Sequence, residues 1–399
     1  MQTFSLGFAH AGVPQAGFYE LDLARAAARR FGAVHHEAVV GPDQVPASLA
    51  AILWHLEEPL GDPSIIPLYF ISHTVAQAGV PVILSGEGAD ELFAGYEVYY
   101  ASRAVRQFQR LPAPLRERVV RPLAGLVSAR MPGHNLLQRL LDPVPSWYRG
   151  VGYTFPDVLK EALYSDTTRN ALAGWDLQEW TRAAFPPDSP EPPRGQGDPL
   201  DQMLYFDICS WLPDDTLLKA DKLTMAYSLE LRVPFLDHRV VEFAATLPAG
   251  LKVSGNTLKY VLKKALANVL PPEVLQRKKV GFTAPMRAWL SEELYAYAAS
   301  VLRSRRFRER GYFRDSAVRQ LLQSAGPMSS LRSRQILTLV VLEVWHRLFV
   351  DGDRDLLGAA ASYRPLASIP ATDPIIAAPS TARPRLPTGI ASARTSRST

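Results

Sequence analysis

The stretch Val82 to Tyr96, VILSGEGADELFAGY, decides the interpretation of this 399-residue chain. A β-branched and apolar run, Val82-Ile83-Leu84, leads into the glycine-rich turn Ser85 to Gly88, and the acidic segment Ala89 to Phe93 follows directly. Turn residues between an apolar run and an acidic segment predict a strand, a tight turn and a helix N-terminus.

This order of elements is suited to binding a nucleotide. Gly86 and Gly88 have no Cβ, so backbone N–H groups can approach a ligand closely, and the helix start adds partial positive charge beside them. Glu87, Asp90 and Glu91 supply three carboxylates that can bind a divalent cation or act as a base. An ordinary helix start explains the acidic residues equally well, because carboxylates favour the first turn of a helix.

The first third of the chain alternates between strand and helix patterns, whereas the pattern after Tyr96 is mostly helical. This alternation predicts an α/β fold with a parallel sheet and helices on its faces. Ligands of such sheets bind beyond the carboxyl ends of the strands, so Leu6-Gly7 and Ser85-Gly86 are expected to converge on one site. The predicted strands are Thr3–Phe8, Val34–Val40 and Val80–Leu84, and the predicted helices are Tyr19–Phe31, Val45–Glu57 and Ser64–Ala78.

Charge and composition narrow the class of protein. Five arginines against one acid give residues 361–399 a charge of +4 out of the total +5, which predicts a disordered basic tail over residues 356–399 and no nucleic-acid site. The apolar run Ile336 to Trp345 is about half the length needed to cross a bilayer, so we predict a buried helix and no membrane contact. Phe185 to Pro199 is proline-rich and predicts a surface loop. The single cysteine, Cys209, favours a reducing, cytoplasmic compartment.

Several motifs, taken together and in order, resemble the synthetase domain of glutamine-dependent asparagine synthetases. The longest are Val82 to Tyr96, Leu217 to Leu247 (LLKADKLTMAYSLELRVPFLDHRVVEFAATL) and Thr257 to Leu262. The resemblance covers roughly residues 2–349. Shorter matches are Thr3 to Phe8, His35-His36-Glu37, Glu58-Pro59, Asp62-Pro63-Ser64 and Lys279 to Phe282.

The resemblance implies a domain of residues 1–355. Its first part, residues 1–110, would hold a parallel sheet of the PP-loop ATP pyrophosphatase (adenine nucleotide alpha hydrolase-like) type, and residues 111–355 would be mainly helical. The implied activity is that of a carbon–nitrogen ligase. ATP activates the side-chain carboxylate of aspartate as β-aspartyl-AMP, and ammonia, normally from glutamine, attacks it. ATP and Mg²⁺ are the implied cofactors, and a homodimer is compatible with the resemblance.

The resemblance also assigns roles to residues at the strand ends. Glu87 would be needed for adenylate formation and ammonia attack, with general base as its candidate role, and Asp90 would hold Mg²⁺. Lys259 would neutralise charge on the transferred group and on pyrophosphate, although its spacing alone also fits a solvated helix lysine. The ATP-binding residues would be Leu6, Gly7, Ser85 and Gly86.

Mixed charges near an apolar helical stretch suggest a substrate-binding region made of Lys219, Asp221 and Arg232. Arg232 could pair with a substrate carboxylate in a bidentate manner, which its planar guanidinium suits. A structural ion-pair network of Asp221, Arg232 and Asp237 explains the same charges equally well.

Two features of the family are not found in this sequence. One is the strand with a Ser-Gly-Gly-x-Asp-Ser loop that binds pyrophosphate upstream of the strand matching Thr3 to Phe8. The other is the N-terminal nucleophilic cysteine, because Met1 is followed by Gln2. The strands at Thr3 and Val80 are therefore expected to flank a gap, where each buried unpaired backbone group costs roughly 1 to 3 kcal/mol. We expect a truncated chain that results from a misplaced start, from a split gene whose other half supplies the missing strand and loop, or from decay of a copy. Its activity alone is left open, and a separate chain is a candidate source of the glutaminase and the pyrophosphate loop.

Three functions stay open at this point. The first is asparagine synthesis from ATP, aspartate and ammonia. The second is amide formation on another carboxylate, as in a related amidotransferase, a β-lactam synthetase or a lasso peptide cyclase. The third is a non-catalytic partial copy.

Overall fold

Two short parallel sheets and a large number of helices form the part of the chain that the computed structural model describes. This part comprises residues 1–9, 18–109, 111–115, 118, 122, 140, 144–185, 198–277, 281–282, 284–323 and 327–361. Most of the predicted loop Phe185 to Pro199 and most of the predicted basic tail lie outside these residues. The last described helix, Asp355–Ala361, covers the start of that tail.

The first sheet confirms the predicted strand, helix and strand. Strand β1 (Gln2–Phe8) pairs in parallel with β2 (Val34–Val40), from Gln2 opposite Val34 to Phe8 opposite Val40. Helix α1 (Phe18–Phe31) connects them and ends at Gly32, whose φ of 61° is the left-handed conformation that glycine adopts most readily.

The second sheet is much shorter. Strand β3 (Val82–Leu84) pairs in parallel with β4 (Glu230–Arg232), and Val82 lies opposite Glu230. The described residues therefore form two separate small sheets, and β1 and β3, which are expected to flank a gap, are not paired with each other. Strand β3 is also shorter than predicted at its start, where Pro81 has no N–H to donate. Two apolar side chains of β3, Val82 and Leu84, are 52% and 73% exposed.

The main hydrophobic core lies between the first sheet and a group of helices. Helices α2 (Gln44–Leu56) and α3 (Ile65–Gln77) contribute side chains with no exposed surface, and both agree with the predicted helices to within one residue. Helix Ser330–Phe349 packs against α2 and contains the run Ile336 to Trp345, so the prediction of a buried helix there is confirmed. Ser329 caps its start, because the Ser329 hydroxyl oxygen accepts the N–H of Arg332 at 3.1 Å.

The remaining helices confirm the prediction that the chain is mainly helical after Tyr96. Within the described ranges, no helix is both long enough and apolar enough to cross a bilayer. The helices besides α1 to α3 are α4 (Ala89–Phe93), Glu97–Tyr99 (3₁₀), Tyr100–Gln109, Ala113–Leu115, Val144–Trp147, Asp157–Leu163, Asp166–Ala171, Leu177–Ala183, Pro199–Cys209, Leu212–Leu217 (π), Leu218–Met225, Pro234–Leu236 (3₁₀), His238–Thr246, Ala249–Lys252, Tyr260–Ala265, Pro272–Gln276, Met286–Trp289, Glu293–Leu302, Arg305–Glu309, Asp315–Gln323, Ser330–Phe349 and Asp355–Ala361.

Candidate active site

The turn between β3 and α4 has the strand, turn and helix geometry that the sequence predicts. The N–H of Ser85 donates to the carbonyl of Arg232 at 2.9 Å, which extends the β3–β4 pairing into the turn. Gly88 begins α4 with a φ of 84°, and a Cβ at this position would overlap the side chain of Leu236. Gly88 is therefore required both by the backbone conformation and by the lack of space.

Helix α4 is short and is held in place by apolar packing. Leu92 and Phe93 are buried in a small cluster with Ala244 and partly buried neighbours. The Phe93 and Phe235 rings contribute an edge-to-face contact with centroids 6.2 Å apart. Because the apolar side of α4 is fixed in this way, the position of its acidic side is fixed as well.

An ion pair joins two of the predicted site residues. The Nζ atom of Lys259 lies 2.9 Å from Oδ1 of Asp90, and the two side chains are 23% and 16% exposed. Lys259 directly precedes helix Tyr260–Ala265 and has a φ of 52°, which is uncommon for a residue other than glycine. The interpretation of Lys259 as a solvated helix lysine is therefore wrong. Unusual backbone conformations of this kind cluster at functional sites.

The backbone of Gly95 passes directly beneath this ion pair. A Cβ on Gly95 would overlap Oδ1 of Asp90 and Cε of Lys259. The N–H of Gly95 also donates to the carbonyl of Asp90 at 2.8 Å, which closes the C-terminal end of α4. The sequence analysis missed this residue, although the segment Phe93 to Tyr96, FAGY, places a glycine immediately after the acidic helix.

Glu91 differs from its acidic neighbours because it is only 1% exposed. Its carboxylate accepts the hydroxyl of Tyr96 at 2.7 Å. Burial raises the pKa of Glu91 and is also the main reason why the pKa of Tyr96 is raised. Glu91 therefore serves the packing of α4, whereas Glu87, which accepts the Ser85 hydroxyl at 3.4 Å, is partly exposed in the turn.

Leu6 and Gly7 lie on the first sheet and are both buried in β1. Leu6 belongs to the main core, and a Cβ on Gly7 would meet Cδ1 of Leu21 at 2.8 Å. A shared sheet edge does not bring these residues to Ser85 and Gly86, since β1 and β3 are in different sheets. Their role in ATP binding stays a prediction.

The predicted substrate-binding residues occupy three different environments. Lys219 is buried, and its ammonium group pairs with both Asp62 and Asp215. Asp221 is exposed on the same helix, Leu218–Met225. Arg232 ends β4, beside the turn, and is 68% exposed.

The alternative prediction, an ion-pair network of Asp221, Arg232 and Asp237, is wrong because Arg232 and Asp237 pair with other residues. Arg232 pairs with Glu230 at 2.9 Å between Nε and Oε1. Asp237 instead binds Arg239, whose guanidinium and backbone N–H both donate to it and hold the pKa of Asp237 down to about 2. Of the three predicted residues, Arg232 is the one that the β3–β4 pairing places beside the glycine-rich turn.

The donor set at the turn suits Mg²⁺ bound together with phosphate. Asp90 offers a carboxylate whose side chain is 16% exposed. The described residues contain no group of three or more histidine, cysteine or acidic side chains arranged to hold a metal by themselves. Mg²⁺ usually binds through one or two carboxylates plus substrate phosphates and water, so a complete protein cage is not required.

The fold and the site together define a mostly helical scaffold with a glycine-rich turn and an acidic helix start, in which Lys259 pairs with the carboxylate of Asp90. The chain belongs to the asparagine synthase family, because the family profile matches residues 1–347.

Individual relatives agree with the family assignment. Asparagine synthetase [glutamine-hydrolyzing] 1 of Bacillus subtilis (strain 168) is 35% identical over 351 residues, which are 88% of this chain and 52% of the relative. A putative asparagine synthetase [glutamine-hydrolyzing] of Mycobacterium tuberculosis (strain ATCC 25618 / H37Rv) is 38% identical over 356 residues, which are 88% of this chain and 51% of the relative. A more distant relative, amidase chyE of Penicillium rubens, is 22% identical over 82% of this chain and 51% of its own length. The chain spans about half the length of these curated relatives.

Proposed function

We propose that residues 1–355 form the amide-forming domain of an asparagine synthetase. In this reaction the side-chain carboxylate of aspartate attacks the α-phosphorus of ATP, pyrophosphate leaves, and ammonia then displaces AMP from β-aspartyl-AMP. The observation that carries the proposal is the Asp90–Lys259 ion pair beside the glycine-rich turn. It brings together a cation and the carboxylate that would hold Mg²⁺, from distant parts of the chain, in a family named for this activity.

The proposed roles follow from the surroundings of each side chain. Lys259 is partly exposed, so its ammonium group can stabilise negative charge that develops on the transferred phosphoryl group and on pyrophosphate. Asp90 would hold Mg²⁺, which supplies further charge neutralisation when bound. Glu87 is partly exposed in the turn, where its carboxylate can accept a proton as ammonia attacks.

Further residues would bind ATP and the substrate carboxylate. Gly86 would offer its backbone N–H to the adenosine part of ATP, and Ser85, whose N–H donates to Arg232, would contribute its carbonyl oxygen, with Leu6 and Gly7 as further contacts. Arg232 would bind a substrate carboxylate, since it lies beside the turn and its partner Glu230 is itself half exposed. Lys219 would act on the substrate only indirectly, because both of its buried partners are carboxylates of the chain itself.

The test measures ATP–pyrophosphate exchange that depends on aspartate, followed by asparagine and AMP formation when ammonia is added. Glu87→Gln and Asp90→Asn should each lower exchange by about 100-fold or more. Glu97→Gln is the matched control, because Glu97 is an exposed carboxylate a few residues further on and should exchange at the parental rate. Parental exchange by both site variants would contradict the assigned roles.

Amide formation on another carboxylate is the second candidate, and it is favoured by the similarity to the Penicillium rubens protein named an amidase. A panel of carboxylic acids in the same exchange assay separates the two. Exchange with aspartate alone supports asparagine synthesis, whereas exchange with another acid supports the second candidate. If the folded chain shows neither exchange nor calorimetric ATP binding, the result favours a non-catalytic partial copy.

A further inference from the structure

A second concave site lies away from the glycine-rich turn. It is a pocket of about 490 Å³ between the loop at Gly61 to Pro63, the segment at Arg149 to Phe155 and the helical turn that carries Trp211 to Asp215. Glu87, Asp90 and Lys259 do not line it. Its volume is in the range of pockets that bind small organic molecules.

Aromatic rings form much of its wall. Phe155, Phe206 and Trp211 line the interior, and Trp180 lies at the edge with 52% of its surface exposed. The position of Trp211 is fixed by Gly152, where a Cβ would overlap the indole ring. A wall of this kind favours a ligand with an aromatic or bulky apolar body.

Most charged side chains at the pocket already have partners within the chain. The guanidinium of Arg149 donates to the backbone carbonyls of Pro145, Ser146 and Tyr148, each at 3.1 Å. Lys160 pairs with Asp157 at 2.7 Å between Nζ and Oδ1. These two cations are therefore engaged in holding the segment that forms the wall.

The buried carboxylates of the pocket are engaged in the same way. Asp62 and Asp215 both pair with the ammonium group of Lys219. Asp62 also accepts the hydroxyl of Ser64 at 2.6 Å and its N–H at 3.1 Å. Neither carboxylate is left as a free anion for a ligand.

The other two charged side chains that line the pocket are Arg334 and Asp214. In the described part of the chain, neither side chain has a hydrogen bond or an ion pair. The backbone of Arg334 is held in helix Ser330–Phe349, where its carbonyl accepts the hydroxyl of Thr338 at 2.9 Å. Arg334 is partly buried and Asp214 is exposed, so one cation and one anion border a space whose walls are partly aromatic.

We propose that this pocket binds a free amino acid with an aromatic or other bulky apolar side chain. Arg334 binds its carboxylate, Asp214 binds its ammonium group, and the wall around Trp211 packs against its side chain. A simple acid or a simple amine would leave one of the two charged groups without a partner, so a zwitterion fits best. This site is additional to the proposed amide-forming site and does not depend on it.

The test titrates L-phenylalanine into the full chain without ATP and follows calorimetric heat and tryptophan fluorescence. We expect saturable binding with one site per chain. Phenylacetate, which lacks the ammonium group, and phenethylamine, which lacks the carboxylate, should each bind about 10- to 100-fold more weakly. No binding of L-phenylalanine at millimolar concentration by the folded chain would overturn the proposal.

Two variants test the assignment of each charged group. Arg334→Met should lower the affinity for L-phenylalanine to that of the parent for phenethylamine. Asp214→Asn should lower it to that of the parent for phenylacetate. Arg305→Met is the matched control, since Arg305 is 85% exposed on another helix and should bind like the parent. Unchanged affinity in both pocket variants would overturn the proposal. Displacement of L-phenylalanine by L-aspartate would also overturn it, because the pocket would then be the site of the acid substrate.

Discussion

Lys219 and Lys259 are both paired with aspartate, yet their surroundings differ. The Lys219 side chain is 8% exposed and lies between two carboxylates, and its ammonium group also lies over the Trp211 ring, 5.4 Å from the centroid. Among the residues that the structure describes, Lys259 pairs with Asp90; its side chain is 23% exposed and its backbone is in the left-handed conformation. The first arrangement neutralises charge inside the fold, whereas the second keeps a cation accessible to a ligand.

The comparison shows why charge alone does not identify a site residue. Burial of an ion pair has a large desolvation cost. Removal of one partner leaves an uncompensated buried charge, so the main effect is a lower free energy of unfolding. An ion pair near the surface contributes little to stability and is free to exchange its partner for a phosphate. Both lysines are candidate site residues in the sequence analysis, and the structure distinguishes them by burial.

The largest effect is expected from Lys219→Met. This change leaves Asp62 and Asp215 buried beside each other without a cation, which should lower the free energy of unfolding by about 3 to 5 kcal/mol. Urea unfolding at about pH 8, where both carboxyls are ionised, measures it. Lys222→Met is the control, because its partner Glu57 is 67% exposed and the unfolding midpoint should not move. A loss below about 1 kcal/mol would mean that the Lys219 cluster behaves like a surface pair.

The second-largest expected effect is the pH dependence of the unfolding free energy that arises from Lys219 and its partners Asp62 and Asp215. Burial and the charge of Asp62 raise the pKa of Asp215 to about 7, whereas an ordinary aspartate titrates near 3.8. Between these values the folded chain holds one proton more than the unfolded chain, so this contribution to stability is lost as pH rises from about 4 to about 7.

Asp215→Asn should remove that contribution. The decline in the free energy of unfolding between about pH 5 and pH 8 should become smaller by roughly 2 to 3 kcal/mol. Asp201 and Asp207, whose pKa values are raised to about 6 and about 7 by burial, titrate in the same range. The measurement is therefore the difference between parent and variant. Identical pH curves would show that Asp215 does not take up this proton.

Gly95→Ala tests the space beneath the Asp90–Lys259 pair. The added methyl group would overlap both side chains, and the resulting shifts should cost about 1 to 3 kcal/mol in unfolding free energy. In an Asp90→Ala background the main obstacle is gone, so the same change should cost less than about 1 kcal/mol.

The control for Gly95 is Gly86→Ala, because no atom lies within 4 Å of a Cβ at Gly86. Its unfolding midpoint should stay close to that of the parent. An equal cost of Gly95→Ala with and without Asp90 would show that the contact between them is not what limits this position.

The sequence predicts local structure well and strand pairing poorly. Strands β1 and β2 and helix α1 lie where periodicity and the cap at Gly32 put them, because these signals are local. The second sheet could not be predicted in this way. Its strand β3 pairs with β4, which follows a long, mostly helical part of the chain, and three-residue strands carry almost no period of their own.

The site is predictable to a similar extent. The turn at Ser85 to Gly88 and the acidic helix follow from residue types whose conformational preferences are strong. The burial of Lys219 does not follow, since one of its partners, Asp62, comes from a distant loop. The left-handed conformation of Lys259 has no signal either, because the residue type disfavours it.

The smallest effect on unfolding is expected from Lys259→Gly. Glycine relieves the left-handed backbone by about 1 kcal/mol, and this gain offsets most of the lost ion pair, so the free energy of unfolding should change by less than about 1 kcal/mol. Under the proposed function, aspartate-dependent pyrophosphate exchange should fall by about 100-fold or more. Ser228→Gly is the matched control, because Ser228 has a φ of 57° in an exposed turn and should gain a little stability at parental exchange. If Lys259→Gly instead unfolded the chain as readily as Lys219→Met, both lysines would be structural and the contrast between them would disappear.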